Sequence, residues 1–154
     1  MGLCCDKLLI GVCGRLLPMP EKGKSLTYVD ICNTLLQNNI NVNDEKINIK
    51  KFIHKRRYYS TSYEDFSKWL SSEMTNLLKY DKYDYAFILY TNCKEWFNKL
   101  NIIYPPCFGI ISINMKLLNF IITPDKEFFL IDSCNNIIYT IDISQNDYID
   151  LIIL

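Results

Sequence analysis

The 154-residue chain has the length of one domain, residues 1–154, with enough chain to bury a proper core. Its 17 basic and 17 acidic residues cancel, which excludes a protein held to nucleic acid by bulk charge, although a local basic patch is compatible with that balance. Seven cysteines form neither a CxxC nor a CxxH spacing, so no zinc site and no other cofactor is expected.

The amino terminus opens Met1-Gly2-Leu3-Cys4-Cys5-Asp6. Acylation at Gly2, Cys4 or Cys5 would prefer Ser or Thr where Asp6 stands, so buried small thiols opening an apolar element are the better expectation. The short apolar run Leu8–Val12 lacks a secretory cleavage pattern. The thiols are therefore expected to be reduced and unbridged, in a cytoplasmic protein (host cytoplasm if the source is viral) with no membrane partner.

Leu8–Leu17 continues the first element, interrupted by Gly11 and Gly14, and Pro18-Met19-Pro20 stops it ahead of a loop over Glu21–Lys24. Ser25 or Thr27 can cap a helix running to about Asn38, with Val29, Leu35 and Leu36 on its inner face. Asn41–Glu45 is turn-like, and Ile47, Ile49 and Phe52 alternate with polar residues as an edge strand would. Lys50-Lys51 and Lys55-Arg56-Arg57 form the one dense basic stretch, with His54, Tyr58 and Tyr59 inside it. It reads as a solvated face before a helix, or as a phosphate or RNA contact assisted by aromatic stacking.

Ser62 and Asp65 make a weakened capping box for a helix over Tyr63–Leu78, with Phe66, Trp69, Leu70, Met74 and Leu77 as its apolar stripe. A second helix is expected from about Asp81 to Tyr90, with Tyr85, Phe87, Ile88 and Leu89 buried and Lys82 at its positive end. Asn92–Lys99 continues or restarts it, Leu100–Ile103 is extended, and Pro105-Pro106 breaks the chain. Four apolar runs follow, Phe108–Ile113, Leu117–Ile122, Phe128–Ile131 and Ile137–Ile143, separated by turn signals. They predict an antiparallel sheet of four or more strands after a helical first part, an α+β fold. Tyr148–Leu154 is apolar and needs a place to dock.

The segment Tyr58-Tyr59-Ser60-Thr61-Ser62-Tyr63-Glu64-Asp65-Phe66, then Leu77-Leu78-Lys79-Tyr80 and Asp81-Lys82-Tyr83-Asp84-Tyr85-Ala86, is similar to a phage- and bacterium-rich branch of papain-like proteins related to the protease domain of Marasmius oreades agglutinin. That branch reads Asp-Cys-Asp-Asp-Phe-Ala at the helix start. Its later Gly-Ile, Gly-His-Ala-x-Asn and Glu-Pro-Gln strands fall on Gly109-Ile110, Lys116-Leu117-Leu118-Asn119 and Leu130-Ile131-Asp132-Ser133-Cys134. The resemblance spans residues 58–142 and implies a papain-like scaffold whose nucleophile corresponds to Lys82, its histidine to Lys116 and its acid to Asp132.

Thiolate chemistry needs a low-pKa sulfur beside an oriented imidazole, and two lysines supply neither. The resemblance therefore implies a pseudoenzyme with no catalytic residues, one that keeps Lys82, Asp84, Lys116, Asn119 and Asp132 as binding residues alongside Lys55, Arg56 and Arg57. Asp84 and Asp132 are the acids placed to separate the two lysines. Three functions stay open. One is a protein-binding module, such as a viral or mobile-element accessory factor that inhibits a host protein. The second is a binder of a small anion, nucleotide or nucleic acid in a lysine-lined cleft. The third is a hydrolase with an altered nucleophile, lysine or Cys134. A large exposed apolar patch favours the first, convergence of Lys82, Lys116 and Arg56 or Arg57 the second, and a lysine of depressed pKa beside a thiol the third.

Overall fold

The computed structural model describes residues 9–10, 16–17, 23–44, 49–140, 143–144 and 146–154. Expectations for Gly2, Cys4, Cys5, Pro18–Pro20 and Ile47 lie outside these residues. Inside them the chain is α+β. Its helices are α1 (Tyr28–Gln37), α2 (Tyr63–Leu77) and α3 (Tyr85–Lys99), the last preceded by a 3₁₀ turn at Lys82–Asp84. The strands are β1 (Leu9–Ile10), β2 (Leu16–Leu17), β3 (Lys24–Leu26), β4 (Lys50–Phe52), β5 (Tyr58–Ser60), β6 (Phe108–Ile113), β7 (Lys116–Ile122), β8 (Phe128–Asp132), β9 (Ile137–Tyr139) and β10 (Ile149–Ile153).

The main sheet has six strands in the order β4-β10-β6-β7-β8-β9. The expected meander is present from β6 to β9 as antiparallel neighbours. One pairing corrects the expectation of an antiparallel sheet and makes the sheet mixed. The apolar carboxyl end docks as β10 between β6 and β4, and its pairing with β4 is parallel, Leu151 opposite Lys50. Gly109 on β6 permits that insertion, because a Cβ there would lie 2.2 Å from the Ile153 carbonyl and 2.6 Å from the Phe120 ring. Two further antiparallel pairs, β1 with β2 and β3 with β5, stand outside this sheet.

The hairpins follow from turn chemistry. Asn114 and Met115, both with positive φ, make a two-residue connection between β6 and β7. Lys126 takes the left-handed position of the β7–β8 turn, where its N–H reaches Thr123 O at 2.8 Å.

Thr27, not Ser25, caps α1. Its hydroxyl accepts from Asp30 N–H at 3.1 Å while the Asp30 carboxylate accepts from Thr27 N–H at 3.0 Å. These bonds, with Lys126 2.9 Å away, hold the Asp30 carboxyl down to about 2. Ile31, Cys32 and Leu35 form the inner face of α1, with Thr34 also buried, whereas Val29 and Leu36, expected inside, are exposed. Ser62 caps α2 through Asp65 N–H.

The sheet carries a core on each face. Side chains alternate along β7 and β8, so Leu118, Phe120, Phe128 and Leu130 pack with α1, while Ile121 and Ile131 pack with α2 and α3. On the second face Trp69 and Trp96 stack at 5.2 Å, with Phe66 5.1 Å from Phe108.

Candidate functional site

The link between α2 and α3 sets the position of Lys82. Asp81 accepts from Tyr83 N–H at 3.0 Å, and Asp84 N–H reaches Asp81 O at 3.0 Å. Those bonds tighten the chain into the 3₁₀ turn, so Lys82 precedes the first α-helical turn instead of forming part of it. Asp84 caps α3 by backbone position with no side-chain bond, and it is exposed. Phe87, expected in the core, faces outward, while Tyr85 and Leu89 are buried.

Opposite this turn stands the β8–β9 connection, Ser133 to Asn136. The Cys134 thiol donates to the Lys82 carbonyl at 3.3 Å. Between the two lies a cleft of about 430 Å³ bordered by Thr75 and Leu78 near the end of α2, by Lys82 and Tyr85, and by Ser133 and Asn136. Among the described residues no carboxylate lines it. None of the ion pairs found among the described residues includes Lys82. Leu78 (79% exposed) and Tyr83 (89%) stand at this link with half-exposed Tyr80 and Phe87.

Lys116 and Asp132 are in direct ion-pair contact. The Asp132 side chain is only 5% exposed and that of Lys116 is 51% exposed. Asn135 completes the cluster, its amide 2.8 Å from Asp132 Oδ2. Burial pushes the Asp132 carboxyl up, but the Lys116 ammonium and the Asn135 amide outweigh it and leave the group below its ordinary value. The Asp132 carboxylate in turn holds the Lys116 ammonium above the usual lysine range.

Lys82 and Lys116 border different cavities. Lys116 has the same strand parity as Leu118 and Phe120, so it belongs to the α1 face and borders a separate cavity of about 290 Å³ with Leu118, Leu130 and Tyr139. Asn119 has the opposite parity and is fully buried. Its amide donates to Ala86 O at 2.9 Å and Gly109 O at 3.2 Å, which ties α3 to the sheet and keeps Asn119 away from the cleft surface.

Lys55, Arg56 and Arg57 are exposed in the β4–β5 loop. Arg57 donates to Ser25 Oγ at 3.2 Å, and Arg56 lies 5.6 Å from the Tyr58 ring centroid. Tyr58 itself is fully buried, with its hydroxyl donating to His54 O at 2.9 Å, so it offers no free ring for base stacking. Arg56 borders a third cavity, of about 240 Å³, with Lys94 of α3.

Sequence reasoning named Lys82 and Cys134 and missed Leu78, Tyr85, Ser133 and Asn136. Leu78 carried a signal, an aliphatic side chain just past the apolar stripe of α2. The others carry none until β8 and α3 are placed side by side. Cys32, Cys93 and Cys107 are buried and Cys134 is exposed, with all four unbridged. Burial pushes the Cys93 and Cys107 thiols up, away from thiolate chemistry. Among the described residues no group of His, Cys, Asp and Glu could hold a metal ion, and no helix is long and apolar enough to cross a membrane. Comparison with known protein families, with curated proteins and with solved structures found no match to this chain.

Proposed function

We propose that the chain is a catalytically inactive, papain-like scaffold that works as a protein-binding module, and that its partner presents an acidic group to Lys82. The observation that carries this reading is the set of exposed apolar side chains on and just after the α2–α3 link, Leu78, Tyr80, Tyr83 and Phe87, next to a cleft lined by Leu78 and Lys82 and, among the described residues, by no acid. Exposed apolar area of this kind, joined to an uncompensated charge, suits a partner surface.

Two features weigh against the other readings. Lys82, Lys116 and Arg56 border three different cavities, so these three cations do not converge on one of them. Lys116 is held charged by Asp132, the opposite of what a lysine nucleophile requires. The scaffold assignment and the host-protein partner rest on the resemblance over residues 58–142, and the cytoplasmic setting rests on the cysteine spacing and the absence of a secretory pattern at Leu8–Val12.

The test is affinity capture with immobilised wild-type protein and with the variants Lys82→Glu and Tyr83→Ser, together with a peptidase assay on the wild type. A protein retained by the wild type and lost from both variants, with no peptide cleavage, is the expected result. Retention unchanged in both variants, or turnover above the buffer blank, would sink the proposal.

A further inference from the structure

We infer that the cavity at the carboxyl end of α3 is a second docking site, one that takes an acidic peptide segment carrying an apolar side chain. It takes Lys94, Phe97 and Asn98 from α3, about 14–20 Å along the helix axis from Tyr85 of the Lys82 cleft.

Two cations from distant parts of the chain, Arg56 of the β4–β5 loop and Lys94 of α3, border this cavity of about 240 Å³. Each lies against an aromatic ring. Arg56 lies 5.6 Å from the Tyr58 centroid, and Lys94 Nζ lies 4.2 Å from that of Tyr90. Among the described residues neither belongs to any ion pair found and no carboxylate lines the cavity. Two like charges brought to one cavity repel each other unless an anion joins them.

Helix capping does not account for the pair. The last carbonyls of α3 are already taken by backbone donors, Leu100 and Ile102 N–H to Phe97 O and Asn101 N–H to Asn98 O, each at 3.1 Å. The rest of the wall mixes apolar Phe97, Ile102, Pro105 and Pro106 with Asn98 and Tyr104. Tyr59 N–H bonds to Pro105 O at 2.8 Å, and Cys107 N–H bonds to Tyr59 O at 2.9 Å, which fixes the proline wall in place. Ile103, 92% exposed, stands at the rim. Two cations over a partly apolar wall fit an apolar side chain flanked by carboxylates. A polyanion needs many phosphate contacts, and this chain, with net charge +0, has no overall field to recruit one.

The experiment is fluorescence anisotropy on the full chain. The probe is a short labelled peptide with glutamates around one phenylalanine and one leucine, compared with the same peptide carrying glutamine for glutamate. The acidic peptide should bind in the micromolar range, weaken with added salt, and lose about tenfold in affinity with Arg56→Glu or Lys94→Glu. Melting temperatures of both variants should stay at the wild-type value, and Lys82→Glu should leave this binding intact, so its outcome is separate from that of the α2–α3 cleft. Absence of binding, equal binding of the glutamine peptide, or unchanged affinity in both charge-reversed variants would overturn the inference. So would tighter competition by a single-stranded oligonucleotide, which would assign the cavity to nucleic acid.

Discussion

The two faces of the six-stranded sheet handle rings and charge differently. On the α2–α3 face, flat rings set the geometry. Trp69 stacks on Trp96 with an interplanar angle of 5°, and Phe97 meets Trp96 edge-on at 5.3 Å. On the α1 face the packing is mainly aliphatic, with Ile111, Leu118, Leu130 and Ile152 and a single Phe120–Phe128 stack. Each face also carries one of the two lysines that the resemblance sets at an active site. Lys116, on the aliphatic face, is neutralised by a carboxylate that is itself buried, whereas Lys82, beside the aromatic layer, is exposed with no ion pair found among the described residues. A buried carboxylate must be compensated locally or the fold suffers, so the Lys116–Asp132 pair is structural. An exposed cation imposes no such requirement, and its charge is available to a partner.

The largest effect should come from the ring layer. Trp69→Ala should lower the free energy of unfolding by about 3–5 kcal/mol, against about 0.5–1.5 kcal/mol for Ile111→Val on the other face. Urea denaturation measures both, and a smaller loss for Trp69→Ala than for Ile111→Val would erase the distinction between the layers.

Next comes the ion pair. Lys116→Met leaves the Asp132 carboxylate buried beside Asn135 alone and should cost about 1–3 kcal/mol at neutral pH, less than a fully buried pair because Lys116 is half exposed. Its pH dependence is more telling. In the wild type the depressed Asp132 group contributes stability that is present above its unfolded pKa and lost as pH falls through the folded one. Without Lys116, burial is less opposed and the folded pKa moves up, so the variant should lose less stability on acidification. Parallel stability–pH curves for the two proteins would show that the pair has no such role.

Asp30→Asn tests the cap on the aliphatic side. The wild-type group falls from 3.8 to about 2, so its contribution is complete above about pH 4 and disappears as the pH drops through about 2. The group is partly solvated, and about 1 kcal/mol is expected from cap and pair together after screening. Thermal melts of wild type and variant should converge below pH 2; a constant offset would place the effect elsewhere.

The smallest stability effect belongs to Lys82→Glu, within about 0.5 kcal/mol because no partner is lost. That variant should nonetheless abolish capture through the cleft. A large loss of stability would mean that Lys82 is structural, like Lys116, and would remove the contrast between the two faces.

The sequence by itself determined the elements whose bonds close within a few residues. Thr27 and Ser62 are caps because each hydroxyl meets an N–H three residues on, and α2 follows from its apolar spacing. The strands Phe108–Ile113 and Lys116–Ile122 follow from an apolar run interrupted by a turn asparagine. The resemblance named Asp84 and Asp132 as the acids between Lys82 and Lys116; Asp132 does pair with Lys116, from a strand one hairpin away, while Asp84 belongs to no ion pair found among the described residues. The remaining features depend on partners far along the chain. The parallel pairing of β10 with β4 joins residues about a hundred positions apart, and no local pattern encodes it. The inner face of α1 was misread because Val29 and Leu36 are as apolar as Ile31 and Leu35, and only the sheet decides which side is covered. The division of Lys82 and Lys116 between two faces depends on strand parity relative to α3. A linear resemblance preserves the order of residues along the chain but says nothing of the direction in which each side chain leaves the sheet.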